Sequence, residues 1–278
     1  MSVLGLCSDD PVVGTLRDVF GANILRVPEE RYQPLAVLAA AGDRASFRGA
    51  LGDLLQGAAP QFPPAARSQL PDLSGKKTKS VDLSLGLQVL AGFLTGLGAG
   101  SAGLDAKFQG VRQVSYSFRD VARSWVDLDA LGKALEGRAV DRRNPAASIF
   151  FGKDAPYAFL VIDSVITSPD FTIVADRTSD PSFRFDVPGV QAALGASAGV
   201  TVSTTGGTDL TFKGVKRLAF AFSCVHFALG SGGKIGAILP DDEVRQVSLF
   251  ARPARGQSGE YARNRVLLTK DVGMVEVG

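Results

Sequence analysis

Histidine and cysteine are scarce in this 278-residue sequence, which contains one histidine, His226, and two cysteines, Cys7 and Cys224. A lone histidine excludes sites built from several histidine ligands, and two distant cysteines fit neither a metal-binding spacing nor a disulfide framework. Few, widely separated cysteines are typical of proteins that stay in a reducing cytosol. We therefore expect no metal, no bound cofactor and a cytoplasmic protein.

The sequence also lacks a large excess of charge of one sign, because 30 Lys and Arg residues are balanced by 28 Asp and Glu residues. Proteins that bind nucleic acid carry a clustered basic surface, so this composition argues against such a partner. Hydrophobic residues make up 45% of the chain and charged residues 21%, which is sufficient for a packed core. The length predicts one large domain with a tail.

No signal peptide is expected, because the opening MSVLGLCSDDPVV has no basic residues and two aspartates interrupt its apolar run. Residues 83–104 carry no charge and are numerous enough to cross a bilayer as a helix. Gly92, Gly96 and Gly100 also form the GxxxGxxxG row that is typical of packed membrane helices. The glycines and polar residues lower the hydrophobicity of this segment. We therefore interpret it as a buried glycine-rich element rather than a transmembrane helix.

Helical periodicity predicts three further helices. Apolar residues recur every three or four positions in residues 11–24, in a segment that begins at Asp43, and in residues 124–135. Asp43 is placed to cap the second of these helices. Short extended segments are expected at 24–27 and 33–38.

Strand-like alternation of apolar and polar residues dominates much of the rest of the chain. The alternating segments are 107–119, 157–167, 169–177, 181–189 and 198–214. A long apolar run at 218–229 predicts a buried strand, and the TTGGT sequence at 204–208 predicts a hairpin turn. Alternation over about 9–11 residues suits a membrane-spanning strand, with lipid on one side and water on the other. An ordinary sheet with one wet face has the same pattern, and the pattern alone favours that sheet.

The tail changes composition twice. Residues 251–265 combine arginine, glycine and proline with few large apolar groups, which predicts an exposed, protease-sensitive linker. Residues 266–278 are apolar again and include Val266, Leu267, Leu268, Val272, Met274 and Val275. Such a peptide is either a removable cover of an interaction surface or a last strand that completes the sheet.

Cys224 and His226 are the sole candidates for a nucleophile and its base. They lie two residues apart in a predicted strand and would share one face of it. The surrounding sequence FAFSCVHF offers no charged third group to orient the imidazole, so we interpret both as core residues. Cys7, in an apolar leader, is either a free thiol or a site of acylation that would add membrane affinity.

Four parts of the sequence, in this order and spacing, resemble one protein family. They are GLCSDDPVVGTLRD around Cys7, GANILRVPEERYQPLAVLAA, the run SGKKTKSVDLSLGLQVLAGFLTGLGAG followed by FQGVRQVSYSFRDV, and the short C-terminal peptide. Together they span nearly the entire chain. The chain resembles the bacterial gasdermins, compact relatives of the animal gasdermin pore-forming domain.

The resemblance implies an α+β fold with a twisted, largely antiparallel central sheet and flanking helices, in a pore-forming domain at 1–250. It implies a cytoplasmic monomer at rest, which is not an enzyme, with Cys7 palmitoylated and peptide 266–278 acting as an autoinhibitor. Two membrane-inserting hairpins would fall near 77–120 and 157–215. An activating protease would cut the linker at 251–265. Cleaved subunits would then assemble into large pores in the inner membrane, as a cell-death response in antiphage defence.

The protease is expected to be trypsin-like or caspase-like. A trypsin-like enzyme would cut after Arg252, Arg255, Arg263 or Arg265, whereas a caspase-like enzyme would cut elsewhere in the linker. Two alternatives to a pore-forming protein remain. One is a soluble lipid- or ligand-binding β-rich domain whose tail is a lid, and the other is a hydrolase that uses Cys224 and His226.

Overall fold

The computed structural model describes most of the chain between residues 15 and 239 and three short C-terminal segments. The described ranges are 15–41, 44–73, 81–99, 105–108, 111–151, 157–175, 183–194, 199–239, 266–268, 274–275 and 277–278. The strands are β1 Asn23–Glu29, β2 Ala36–Ala41, β3 Arg44–Ala50, β4 Ala66–Gln69, β5 Val81–Asp82, β6 Gln113–Arg119, β7 Ala122–Trp125, β8 Ala158–Ala175, β9 Val200–Ser203, β10 Asp209–Leu229, β11 Ile235–Leu239 and β12 Met274–Val275.

Helices are few and short by comparison. The α-helices are Leu51–Leu54, Leu83–Gly96, Leu128–Leu135 and Val187–Leu194. Shorter helical turns are the π-turn Thr15–Val19 and the 3₁₀ turns Asp105–Phe108, Ser148–Phe150 and Ser231–Gly233. No helix in the described ranges is long and apolar enough to cross a membrane.

Two long antiparallel strands, β8 and β10, form the centre of a sheet of twelve described strands. The other edge of β8 pairs in turn with β2, β7 and β6, while the other edge of β10 pairs with β11, β1 and β9. β3 extends the sheet beyond β2, and β12 lies parallel to β1. All other pairs are antiparallel, which confirms the expected α+β class with a largely antiparallel central sheet.

A break in register divides the two central strands into two arms. Four residues of β10, at 214–217, face a single residue of β8, Pro169. At the same level Asp120, between β6 and β7, has a left-handed backbone with φ of 49°. The Arg217 Nη1 donates to Asp120 Oδ2 over 2.7 Å and ties these irregularities together. We call β8 and β10 on the Ala158 side of this break the lower arm, and the remainder the upper arm.

The two arms differ in burial. In the upper arm, Leu210 and Phe212 face a core cluster that includes the Leu83–Gly96 helix, while Thr211 and Lys213 point to the other, more exposed face. The lower arm is buried on both faces. The segment 157–167, whose sequence suggested one wet face, therefore lies between two core clusters.

The glycine-rich segment forms a helix that packs closely on β1. A Cβ at Gly92 would overlap the carbonyl oxygen of Arg26, and a Cβ at Gly96 would overlap that of Pro28. The helix reaches these carbonyls where β1 departs from regular pairing with β10, between Ile24 and Glu29. The expected buried glycine-rich element is thus confirmed within residues 86–99, for which burial is described, whereas Gly100 lies outside the described residues.

Two predictions of local structure are wrong. The helix expected from Asp43 is strand β3, paired antiparallel with β2 and followed by a single helical turn at Leu51–Leu54. Gly49 has a φ of +113°, which a helix does not allow. The strand expected at 181–189 instead leads into the helix Val187–Leu194, because Asp186 Oδ1 accepts a hydrogen bond from the Gly189 N–H at 3.0 Å and caps it.

Other boundaries shift by a few residues. Residues 124–135 divide into the end of strand β7 and the helix Leu128–Leu135, which Asp127 caps through the Ala130 N–H at 2.7 Å. The hairpin expected around 204–208 is confirmed as the β9–β10 connection. The strand expected to end at Pro28 continues to Glu29.

Candidate functional site

The described part of the C-terminal peptide is buried in the sheet. Val266, Leu268, Val275 and Val277 are 1%, 2%, 3% and 8% exposed. They belong to one core cluster, which we call the C-terminal cluster, whose other buried members lie on strands β1, β2, β3, β8 and β10 or are Tyr32. Apart from Tyr32, the described buried members of this cluster that lie outside those five strands all belong to the peptide.

The first part of the peptide is bound by a buried amide. The Val266 N–H donates to the carbonyl of Cys224 over 2.9 Å, which attaches the peptide to β10. Asn23 Nδ2 donates to the Val266 carbonyl over 2.9 Å, and the Leu268 N–H donates to Asn23 Oδ1 over 2.6 Å. Asn23 is itself only 3% exposed, so these bonds form away from water.

The middle of the peptide adds strand β12 to the edge of β1. Met274 lies opposite Ile24 and Val275 opposite Leu25, in parallel register. An edge strand offers a row of unpaired N–H and C=O groups to any chain that can pair with it. The peptide occupies this part of the β1 edge.

The end of the peptide reaches β3. The Gly278 N–H donates to the Ala45 carbonyl over 3.1 Å, and the Phe47 N–H donates to the Gly278 carbonyl over 3.0 Å. Arg31 Nη2 also donates to the Val277 carbonyl over 3.2 Å. Because β1 and β3 lie towards opposite ends of the strand order β12-β1-β10-β8-β2-β3, the peptide connects both sides of the sheet.

Arg31 is held in place for this contact by its neighbours. Its guanidinium carbon lies 5.1 Å from the ring centre of Tyr32 and 5.4 Å from that of Phe47, distances at which cation–π attraction operates. Its Nε lies 2.6 Å from Glu29 Oε2. Burial raises the pKa of Tyr32, although the hydrogen bond from Arg31 acts in the opposite direction. Tyr32 is therefore a neutral member of the site at physiological pH.

Cys224 and His226 are core residues, as the sequence interpretation proposed. Cys224 is fully buried and His226 is 7% exposed. The Cys224 Sγ lies 3.6 Å from the Val266 carbonyl oxygen and 4.0 Å from Asn23 Nδ2. Burial lowers the pKa of His226, and within the described residues its Nδ1 has no hydrogen-bond partner. This geometry provides neither an accessible nucleophile nor an oriented base.

The structure brings together only part of the predicted set. Val266, Leu268 and Val275 meet in the C-terminal cluster, while Leu267 and Met274 are half-buried. Outside the described residues lie Cys7, Val272, the linker 251–265 and the candidate cleavage residues Arg252, Arg255, Arg263 and Arg265. No group of three metal-binding side chains occurs in the part of the chain that the structure describes.

Sequence reasoning missed Asn23 and Arg31. An asparagine directly before an apolar strand resembles a turn residue, and an arginine near a glutamate resembles a surface ion pair. Val277, by contrast, belongs to the apolar pattern of the tail, from which burial is expected.

The long-stranded, largely antiparallel sheet with short flanking helices has a counterpart among solved structures. A solved bacterial gasdermin from Bradyrhizobium tropiciagri superposes with a TM-score of 0.63 over 98% of each chain, at 14% identity. The similarity establishes the fold.

Sequence comparison identifies the family. The family model described as "Bacterial Gasdermin Family" matches residues 25–234. A gasdermin bGSDM from Vitiosangium sp. (strain GDMCC 1.1324) is 32% identical over 231 residues, which are 82% of this chain and 85% of the relative. Another from Lysobacter enzymogenes is 26% identical over 235 residues, 84% of this chain and 85% of the relative. The chain belongs to the bacterial gasdermin family, whose members are pore-forming proteins rather than enzymes.

Proposed function

We propose that this gasdermin is kept at rest by its own C-terminal peptide and forms membrane pores after a protease removes that peptide. One observation carries the proposal. The peptide fills the C-terminal cluster and bonds to β1 near one of its ends and to β3 at the other. Among the described residues, the peptide and Tyr32 supply the buried side chains that cover this apolar face of strands β1, β2, β3, β8 and β10.

The strength of this restraint depends on the tether. Burying one Val or Leu side chain contributes about 1.5–3 kcal/mol, and four such side chains of the peptide are buried. Ordering each peptide residue costs about 1–2 kcal/mol in backbone entropy, which offsets much of this gain. A covalent tether keeps the peptide at an effective concentration in the millimolar range. Cutting the linker removes that concentration, so a marginally bound peptide leaves by dilution.

Departure of the peptide exposes two kinds of surface. One is the apolar sheet face that includes Leu25, Leu38 and Phe222. The other is the edge of β1 at Ile24 and Leu25 that β12 occupied. Apolar faces and unpaired edges both favour pairing with another chain, here further copies of the cut protein. The monomer would thereby become a homo-oligomer.

The upper arm suits membrane insertion better than the lower arm does. Its strands have one apolar face and one more polar face, which is the arrangement of a strand with lipid on one side and water on the other. The two inserting hairpins would include the regions near 77–120 and 157–215. The Leu83–Gly96 helix must then leave β1, because it covers the apolar face of the upper arm.

The remaining parts of the proposal concern partners and place. A trypsin-like or caspase-like protease would cut within 251–265, with Arg252, Arg255, Arg263 and Arg265 as sites for the former. A palmitoyl group on Cys7 would add membrane affinity. The intact protein would reside in the cytoplasm and the cut protein in the inner membrane, where pores would stop growth as an antiphage defence.

Expression of residues 1–257 beside the full chain in bacteria tests the proposal. We expect the shorter chain to arrest growth, to release dye from vesicles of phosphatidylethanolamine, phosphatidylglycerol and cardiolipin, and to form ring-shaped assemblies in electron micrographs. The full chain should do none of these. Intact vesicles and unchanged growth with a folded shorter chain would instead favour the ligand-binding domain with a C-terminal lid.

Two matched variants test the finer claims. Replacing all four linker arginines by glutamine should prevent activation of the full chain by trypsin but not by an enzyme that cuts elsewhere in the linker. Cys7→Ala should reduce toxicity of the shorter chain while leaving its fold unchanged. Undiminished toxicity would reject acylation of Cys7 as a requirement.

A further inference from the structure

Asn23 uses both ends of its side-chain amide on the C-terminal peptide. Nδ2 donates to the carbonyl of Val266, and Oδ1 accepts from the N–H of Leu268. These two partners are 243 and 245 positions further along the chain. Both are backbone groups, so the contact does not depend on the identity of the peptide side chains.

The geometry is that of a parallel β-ladder with a side chain in place of one strand residue. In a parallel pair, one residue bonds through its C=O and its N–H to the two residues that flank its neighbour. The Asn23 amide makes the same two bonds around Leu267. The next residue of β1, Ile24, lies opposite Met274, also in parallel register but seven positions further along the peptide.

We infer that Asn23 recognises the inhibitory peptide through its backbone and sets how long the peptide stays bound after cleavage. The inference rests on the proposed function and adds a named residue to it. The amide accepts only an extended segment that presents a C=O and, two residues later, an N–H. A peptide displaced by one residue would turn its apolar side chains to the opposite face, so these bonds and the C-terminal cluster select the same register.

Cys224 provides a built-in reporter of peptide departure. Its Sγ lies 3.6 Å from the same Val266 carbonyl oxygen that Asn23 binds, and the residue is fully buried. A thiol reagent reaches this sulfur only after the peptide has moved. With Cys7→Ser as background, Cys224 is the single cysteine of the chain.

The test uses the full chain with the recognition sequence of a specific protease placed within 251–265. After cutting, release of the peptide is followed by gel filtration with mass spectrometry, and Cys224 exposure by maleimide labelling. Asn23→Leu removes both hydrogen bonds at similar size and should speed release and labelling by about 10- to 100-fold, because two buried backbone groups lose their partners. Asn23→Asp should act in the same direction, since it places a carboxylate oxygen against the Val266 carbonyl.

Ser223→Ala is the matched control. Ser223 is also a buried polar residue, on the neighbouring strand β10, and within the described residues its hydroxyl has no hydrogen-bond partner. Its removal should change the release rate by less than about twofold. If Asn23→Leu does not accumulate as folded protein, the smaller Asn23→Ser provides the same comparison.

The outcomes separate this inference from the proposed function. If the cut wild-type chain releases its peptide and leaks dye from vesicles, but Asn23→Leu releases the peptide at the wild-type rate, the inference is overturned and the proposed function stands. The inference is likewise overturned if Asn23→Leu lowers the urea midpoint of the uncut chain without changing release. If the cut wild-type chain neither releases peptide nor leaks dye, both fall.

Discussion

Strand β1 carries two covers of different kinds, the Leu83–Gly96 helix and the C-terminal peptide. The helix packs backbone against backbone, because Gly92 and Gly96 leave no room for a Cβ next to the carbonyls of Arg26 and Pro28. The described residues of the peptide instead insert side chains into a cluster, pair with β1 at Met274 and Val275, and form separate hydrogen bonds at Val266, Leu268 and Gly278. The first contact is a close packing of backbone on backbone, and the second is a set of side-chain and hydrogen-bond contacts.

The kind of contact determines which cover is suited to leave first. A continuous glycine-to-carbonyl contact cannot open at one point without moving the whole helix. A contact made of separate hydrogen bonds and side chains can open first at Asn23 or at Arg31 and then along its length. On the proposed function, the peptide is therefore the trigger, and the helix follows once β1 has lost its edge partner.

The largest loss of stability is expected when a larger side chain replaces a glycine between the Leu83–Gly96 helix and β1. Gly96→Val would place carbon atoms against the Pro28 carbonyl and near Leu218, at a cost of at least about 3 kcal/mol in the free energy of unfolding. Urea denaturation measures this loss. The control is Gly132→Ala in the Leu128–Leu135 helix, where an added Cβ meets nothing within 4 Å and should leave stability unchanged or slightly higher. If Gly96→Val leaves the free energy of unfolding unchanged, the helix does not depend on a close backbone contact, and the proposed difference between the two covers is wrong.

The next largest effect is expected when a buried side chain of the C-terminal peptide is shortened. Leu268→Ala removes a buried side chain at a cost of about 2–4 kcal/mol and should make the uncut chain release vesicle dye, because the peptide is displaced part of the time. Leu267→Ala, at a half-buried neighbour, should have a clearly smaller effect. Equal leakage from both variants, or none from either, would contradict a role for the C-terminal cluster in restraint.

A smaller effect is expected at the far end of the peptide. Arg31→Ala removes the hydrogen bond to the Val277 carbonyl and the contacts with two rings, worth about 1–2 kcal/mol together. Hydrogen exchange at residues 277–278 should accelerate, with little change elsewhere. Arg143→Ala, at an exposed ion pair with Asp141, is the matched control and should leave that exchange unchanged.

The last effect, which is spread over a range of pH, comes from a group that belongs to neither cover. Burial lowers the pKa of His226 below the ordinary 6.5, so the folded protein favours the neutral imidazole. Its stabilising contribution is present above pH 6.5 and is lost as the pH falls towards the folded-state pKa, by up to about 1.4 kcal/mol per pH unit. Urea midpoints measured between pH 7.5 and 5 should fall in the wild type. An equal fall in His226→Phe, which has no histidine, would assign the effect to other groups.

The sequence predicted those elements whose local pattern agrees with their environment. The β9–β10 hairpin and the strand at 218–229 combine strong alternation or apolar runs with turn residues, so local and tertiary preferences coincide. Burial of the glycine-rich segment was also predicted, and its structural reason is that a Cβ at Gly92 or Gly96 would overlap the backbone of β1. The apolar tail likewise predicted burial of Val266, Leu268 and Val275.

The failures have a physical cause as well. In the segment after Asp43, Phe47, Leu51 and Leu54 fit helical spacing, whereas Ala45 and Phe47 fit strand spacing, and pairing with β2 decides the outcome. The contact of Asn23 with the peptide could not be predicted, because its partners lie more than two hundred residues away and periodicity carries no information about such contacts. Hydrogen bonds to a distant backbone leave no mark on local composition.

The break between the two arms also limits how the sheet can rearrange. Because four residues of β10 face one residue of β8, the strands are offset by three positions between Lys213–Asp170 and Leu218–Ser168. Three is odd, so drawing β10 into one uninterrupted ladder with β8 would rotate one stretch of side chains from the inner to the outer surface. Straightening these strands would thus bring the exposed side chains of one arm to the buried face and its buried side chains to the exposed face in one step.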